Sequence, residues 1–440
     1  MKKQLIRPLQ RVAGTTLCSP LERGFRATYP GMLLCYREKL DSVRLGGALA
    51  RVLIDFPMYA GKLFSEGADM RIRHGAGAAV LESARRDVSI ETLAADIAAG
   101  RADELDPQLS KLGVALDTES LLGAKLTTAR NGSVLCVVWH HIAGDMHSTM
   151  LLMRAWAQAY NDLPYEKPTI VLDRDAYLRE VMPDPAGARS AVRLASWREL
   201  FQFGYAITRP AKRITVEYTW EQLHSLQDAL SESKHVTIND AVCSHVFHLL
   251  RQLSGTIERT NLCMTINYRK RVGIPESTVG NMVALVAQPT DEIDEPCEIA
   301  AGLRIRLEQY AAKHVDYQAS MRMIDAHPSL GERLRLANRL FEPNRGDLLV
   351  TNWNGFGTYD LMFGSSKPIM FCPLSFGVTR LPAWFCIVYD LPEAKGLGVT
   401  VGLPARLAER LESSDGQALL YRRRPIRKSS ALQLNEVVPA

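Results

Sequence analysis

The stretch AKLTTARNGSVLCVVWHHIAGDMHSTMLLMRAWAQAYND (124–162) limits what this chain can fold into more than any other segment does. Asn131-Gly132 lies between two strand-forming runs, a combination that favours a type I′ hairpin turn because both residues tolerate positive φ. SVLCVVW is nearly all apolar, as expected of a strand buried on both faces. After it, Met150, Leu151, Ala155 and Ala159 fall near helical spacing and predict a helix that begins around His147 or Ser148. Residues 140–146 therefore occupy a strand-to-helix turn.

That turn holds His140, His141 and Asp145, with His147 just beyond. Consecutive side chains of extended backbone point in opposite directions, so one of the adjacent histidines can face a cleft while the other packs. Imidazole is the usual general base near neutral pH, and an acid nearby can fix its tautomer or the turn that presents it. Zinc would need three or four converging ligands, but the pattern is not HExxH, and Cys243, His245 and His248 in TINDAVCSHVFH read as an ordinary buried helix, so no metal is expected. A serine hydrolase lacks its GxSxG elbow here, and Ser148 falls inside the helix. GAGAAV (75–80) is neither GxGxxG nor a P-loop. General-base catalysis without a protein nucleophile is the class that remains.

At 440 residues the chain suggests two domains. The spacing of Val43, Leu45, Leu49, Val52 and Leu53 predicts a helix ending near Ile54, before Pro57. MRIRHGAGAAVLESARR reads as two short strands about a Gly turn. We read 1–164 as one lobe and 165–213, irregular and proline-rich, as a crossover linker. The rest, 214–440, forms a second lobe, opening on a strand and a helix capped by Thr219. The tail from Tyr421 begins with a basic cluster, lacks periodicity and reads as peripheral.

The net charge of +5 is small against 101 charged residues, and no stretch before the tail concentrates the basic ones, which argues against a nucleic-acid binder. No apolar run is long enough for a membrane span, and the N-terminal lysines precede no signal-peptide core. Eight cysteines without a CxxC spacing fit reduced thiols in a cytoplasmic protein.

His141-Ile-Ala-Gly-Asp145 resembles the HxxxD motif of the BAHD acyltransferases, and other segments agree with that family in order and spacing. CSPLERGF resembles its opening and LIDFPMYAGKL (53–63) its YPLAGRL stretch. VTINDAVCSHVFH (236–248) is similar to its helix after the crossover, and INYRKRVGIP with VGNMV (266–283) to its DxRxR…GN segment. VTNWNGFGTYDLMFGSSKP (350–368) resembles its TSW…DFGWGKP block. The resemblance implies an α/β fold of two similar chloramphenicol-acetyltransferase-like lobes, each a mixed sheet flanked by helices, with an active-site channel between them. It also implies transfer of an acyl group from acyl-CoA, a co-substrate and not a bound cofactor, to the hydroxyl or amine of a small molecule, usually a specialised metabolite. His141 would be the general base. Asp145 would turn away to pair with Arg269, with Asn281 as further support, and Thr351 and Trp353 would lie near the tetrahedral centre. A monomer is expected.

Two departures matter. Met146 replaces the Gly that follows the Asp of condensation domains. In the DFGWGKP block only Phe363, Gly364, Lys367 and Pro368 persist, so FGSSKP reads as a surface turn. That loss is the one feature favouring the alternative, a catalytically weakened or carrier-protein-interacting condensation-like module of the same fold.

Overall fold

Two six-stranded sheets organise the chain. The computed structural model describes every residue except 1, 27, 102, 108, 110–118, 233, 256–258, 292–294, 375–380 and 422–440, so the basic tail beyond Tyr421 lies outside the described residues. The first sheet runs, in spatial order, Lys2–Ile6, Ala79–Arg85, Leu122–Thr128, Ser133–Trp139, Gly31–Tyr36 and Met370–Leu374. Only its second and third strands pair parallel. The second sheet runs Lys212–Thr219, Gly396–Leu403, Phe385–Asp390, Leu348–Asn352, Thr260–Asn267 and Val283–Thr290, with Leu348–Asn352 parallel to both neighbours. Two mixed sheets flanked by helices are the α/β architecture expected. One strand crosses over: Met370–Leu374, late in the chain, pairs antiparallel with Gly31–Tyr36 in the first sheet.

Every residue of Ser133–Trp139 is buried. Leu135, Val137 and Trp139 join a core with the helices Ser42–Val52 and Met146–Tyr160, while Val134, Cys136 and Val138 join another beneath the helix Ile90–Ala98. A period of two thus feeds two apolar layers. The turn before this strand differs from expectation. Pairing continues to Ala129 and Gly132, whose N–H and C=O meet at 2.9 Å, which puts Arg130 and Asn131 at the tip. Neither Asn131 nor Gly132 has positive φ, so the turn is not type I′. Asn131 instead accepts the Ile90 N–H at 2.8 Å, and a β-carbon at 132 would collide with the Tyr36 carbonyl oxygen.

The two strands about the Gly turn form, but in different sheets: Asp69–Arg73 pairs with Thr15–Leu17 and Lys62–Glu66, whereas Ala79–Arg85 enters the first large sheet. Nor is 165–213 irregular. It carries the strands Thr169–Ile170 and Val192–Leu194 and the helices Arg174–Val181 and Trp197–Thr208. Its prolines, Pro168, Pro183, Pro185 and Pro210, stand between these elements and end them rather than prevent them.

Candidate active site

Asp145 is the N-cap of helix Met146–Tyr160, one residue ahead of the expected start, and its Oδ1 accepts the Ser148 N–H at 2.8 Å. The same carboxylate, fully buried, accepts from Arg269 Nη1 at 2.8 Å and from the Met282 N–H at 3.0 Å through Oδ2. Arg269 is equally buried and spends its remaining donors on Thr278 O, Asn267 Oδ1 and Gly280 O. Such an ion pair is stable only when nearly every donor and lone pair is met, as here. Burial alone would raise the Asp145 pKa, but the Arg269 charge and the hydrogen bonds outweigh it and hold the carboxyl at about 2. Asp145 therefore remains a carboxylate and does not exchange protons near neutral pH.

His141 faces the other way. Its Nδ1 lies 2.8 Å from Asn281 Oδ1. The Asn281 amide nitrogen donates to Glu22 Oε1 at 2.7 Å and to the His141 carbonyl at 2.8 Å, so both its N–H bonds point at acceptors and its oxygen must face the imidazole. His141 Nδ1 is then the donor, and Nε2 keeps its lone pair. Phe25 stacks on the ring at 4.2 Å with planes 7° apart. Burial pulls the His141 pKa below the ordinary imidazole value, with Asn281, Asp145 and Glu22 opposing that shift. Its neutral form prevails at pH 7.

Two residues central to this arrangement were absent from the sequence reading. Glu22 is buried; its Oε1 accepts from Arg174 Nη1 at 2.7 Å as well as from Asn281, and its Oε2 accepts the Ser19 N–H at 2.7 Å. Arg174, fully buried, also donates to the carbonyls of Ile142 at 2.9 Å and Ala143 at 3.3 Å, gripping the backbone of the turn itself. Ser19-Pro-Leu-Glu22 is a capping-box pattern, a signal that was available for Glu22. For Arg174 the only hint was Asp173, which caps its short helix. Gly280 completes the fit: its φ is +153°, and a β-carbon there would come to 3.1 Å from Arg174 Nε.

The other expected residues divide. His140 is buried edge-on against Tyr29, with ring centroids 4.7 Å apart, and His147 Nε2 donates to the Glu276 carbonyl at 2.7 Å, so neither joins His141. Trp353 is buried against Trp139 and Phe371, and Trp139 Nε1 donates to Gly144 O at 3.0 Å, so Trp353 backs the turn from behind. Thr351, partly exposed, sits in the central strand Leu348–Asn352 between Thr265 and Ile387. FGSSKP is only half a surface turn. Phe363 is fully buried among Tyr36, Trp156 and Tyr160, while Gly364 N–H donates to Asn161 Oδ1 at 2.9 Å. A cavity beside this block, lined by Leu151, Arg154, Gln158 and Met362 among others, includes neither His141 nor its partners.

A family model described as the Transferase family matches residues 29–414. No curated protein is significantly similar in sequence. Among solved structures, F. sporotrichioides TRI101 complexed with coenzyme A and T-2 superimposes with a TM-score of 0.71 at 17% identity, over 91% of this chain and 98% of that one. F. graminearum TRI101 complexed with coenzyme A and deoxynivalenol gives 0.71 at 14% identity, over 92% and 98%. Vinorine synthase gives 0.67 at 16% identity, over 96% and 99%. At these identities the likeness is one of fold.

Proposed function

The chain belongs to the Transferase family, that of the BAHD-type acyltransferases, and from that premise we propose that it moves an acyl group from an acyl-CoA thioester to the hydroxyl, or the amine, of a small-molecule acceptor, with His141 as general base. One observation carries the assignment of the base. Asn281, oriented by Glu22 and by the His141 carbonyl, leaves His141 with a protonated Nδ1 and an Nε2 that keeps its lone pair.

An alcohol is too weak an acid to ionise first, so Nε2 removes its proton as the oxygen attacks the thioester carbonyl carbon. The carbonyl electron pair moves onto oxygen. When that pair returns, the C–S bond breaks, and the departing coenzyme A thiolate takes the proton from His141, restoring the neutral ring. A base so positioned contributes about 10²–10⁴-fold, and holding both substrates together supplies effective molarity. Thr351, at a partly exposed position of the central strand, is our candidate donor to the oxyanion. Trp353 would act through Trp139 and Gly144 on the turn, as a positioning residue. Asp145 and Arg269 hold that turn and take no proton. Acyl-CoA is a co-substrate, and no permanently bound cofactor is required.

The test uses the purified protein with acetyl-CoA and longer acyl-CoAs, a panel of alcohols and amines, and a thiol-reactive dye. Acceptor-dependent thiol release is expected, and His141→Ala should lower it by at least about 10²-fold. A folded His141→Ala protein with full turnover sinks the reading.

A further inference from the structure

Helix Trp197–Thr208 buries one side chain, Ala206. It is anchored on that side by Phe203, edge-on to Phe341 with centroids 6.4 Å apart, and by Asn344 Nδ2 donating to Gln202 O at 3.4 Å. On its solvent side Trp197, Phe201 and Tyr205, four residues apart and so in one stripe, are 61%, 76% and 58% exposed. A helix this short is marginal in water by itself, and this one leaves its largest apolar groups uncovered.

Two arginines flank the stripe. Arg198 follows Trp197 on the flank of the stripe, and the Arg209 guanidinium lies 5.5 Å from the centre of the Tyr205 ring. The paired strands Val192–Leu194 and Leu336–Asn338 bring the segments 189–209 and 335–345 together, with 341–344 against the anchored side of the helix. These two segments hold seven arginines, at 189, 193, 198, 209, 335, 339 and 345, against two acids, Glu199 and Glu342. Arg193 bridges both acids, and Arg345 also pairs with Glu342. The local balance of +5 equals that of the entire chain. The linear sequence hides this basic region because the fold assembles it from two distant segments.

We propose that this face docks on an anionic lipid surface, with Trp197, Phe201 and Tyr205 entering the boundary between headgroups and acyl chains and the flanking arginines meeting anionic headgroups. An apolar aromatic stripe bordered by cations matches both layers of such a surface. A second copy of the chain would bring like charges face to face, and single-stranded nucleic acid calls for a groove where this helix presents a convex side.

Flotation of the full-length protein with vesicles tests it. Binding is expected to phosphatidylcholine vesicles containing phosphatidylserine, weakened by salt, and not to phosphatidylcholine alone. The triple variant W197S/F201S/Y205S should lose it, and R198Q/R209Q should weaken it about 30-fold, at roughly fivefold per cation. Quenching of tryptophan fluorescence by brominated lipid should occur in the parent and fall in W197F. Circular dichroism checks that each variant is folded. Absence of flotation with anionic vesicles, or unchanged flotation of the folded triple variant, overturns the proposal. So does a dimer in sedimentation, or tight oligonucleotide binding, that the same substitutions abolish.

Discussion

Asn281 decides which nitrogen of His141 carries the proton, and Glu22 decides which way Asn281 points. With His141 as the proposed general base, the neutral ring is the active form and activity falls where the ring becomes protonated. Because burial lowers the His141 pKa from 6.5, kcat/KM should stay level as pH falls past 6.5 and decline only below it. The Asn281 hydrogen bond raises that pKa, so Asn281→Ala should move the decline further down while lowering the plateau by about 10–100-fold, part of what a positioned base is worth. A pH profile with its midpoint above 6.5 would contradict the burial argument. Asp145 acts on stability instead. Asp145→Asn leaves Arg269 buried without its anion and should cost about 3–5 kcal/mol in urea unfolding at pH 7. The parent carboxyl titrates near 2 when folded and near 3.8 when unfolded, so its contribution is complete above 3.8 and lost as pH falls towards 2. The gap between parent and variant should therefore narrow over that range and hold steady above it.

Helix Met146–Tyr160 is fixed at both ends by the second half of the chain. Arg269 and Met282 hold Asp145 at its start, and the carbonyl of Met362 and the N–H of Gly364 hold Asn161 at its end. The start was legible to within a residue from the apolar spacing alone, although Asp145 was expected only as the partner of Arg269 and not as the cap. The end was not, because FGSSKP lacks the Asp and the Trp that would have marked it as a structural block, and a Gly-Ser-Ser run looks like a solvated turn. What identifies the block is Phe363, whose burial among three aromatic rings no local pattern reveals. Phe363→Ala should destabilise the protein by about 3–5 kcal/mol, whereas Ser365→Ala, at an exposed position bonded to Glu38, should stay within about 1 kcal/mol. Thermal unfolding of the two variants side by side checks the contrast. Equal shifts would mean that the block contributes through its polar contacts and not through Phe363.

At the scale of the whole molecule, the two lobes are visible in the sequence as two series of elements, but their interlocking is not. Each tie joins residues more than a hundred positions apart: His141 to Asn281, Asp145 to Arg269, Glu22 to Asn281, and Gly31–Tyr36 to Met370–Leu374. Local propensity and periodicity carry no information about such pairs. Family resemblance supplied Arg269 and Asn281 but neither Glu22 nor Arg174. The consequence is that the first lobe is incomplete by itself. Without Met370–Leu374, the wholly buried strand Gly31–Tyr36 becomes an apolar sheet edge, a template for aggregation. Without residues 269–282, Asp145 and His141 lose their partners. A fragment of residues 1–210 expressed alone should therefore aggregate or lack a cooperative melt, while co-expression with 211–440 should recover a soluble complex, since the cut at 210–211 falls between helix Trp197–Thr208 and strand Lys212–Thr219. The intact chain should unfold in one transition followed equally by circular dichroism and by tryptophan fluorescence. A soluble 1–210 fragment with its own cooperative melt would show that the crossing strand and the inter-lobe ion pairs join lobes that are already stable apart.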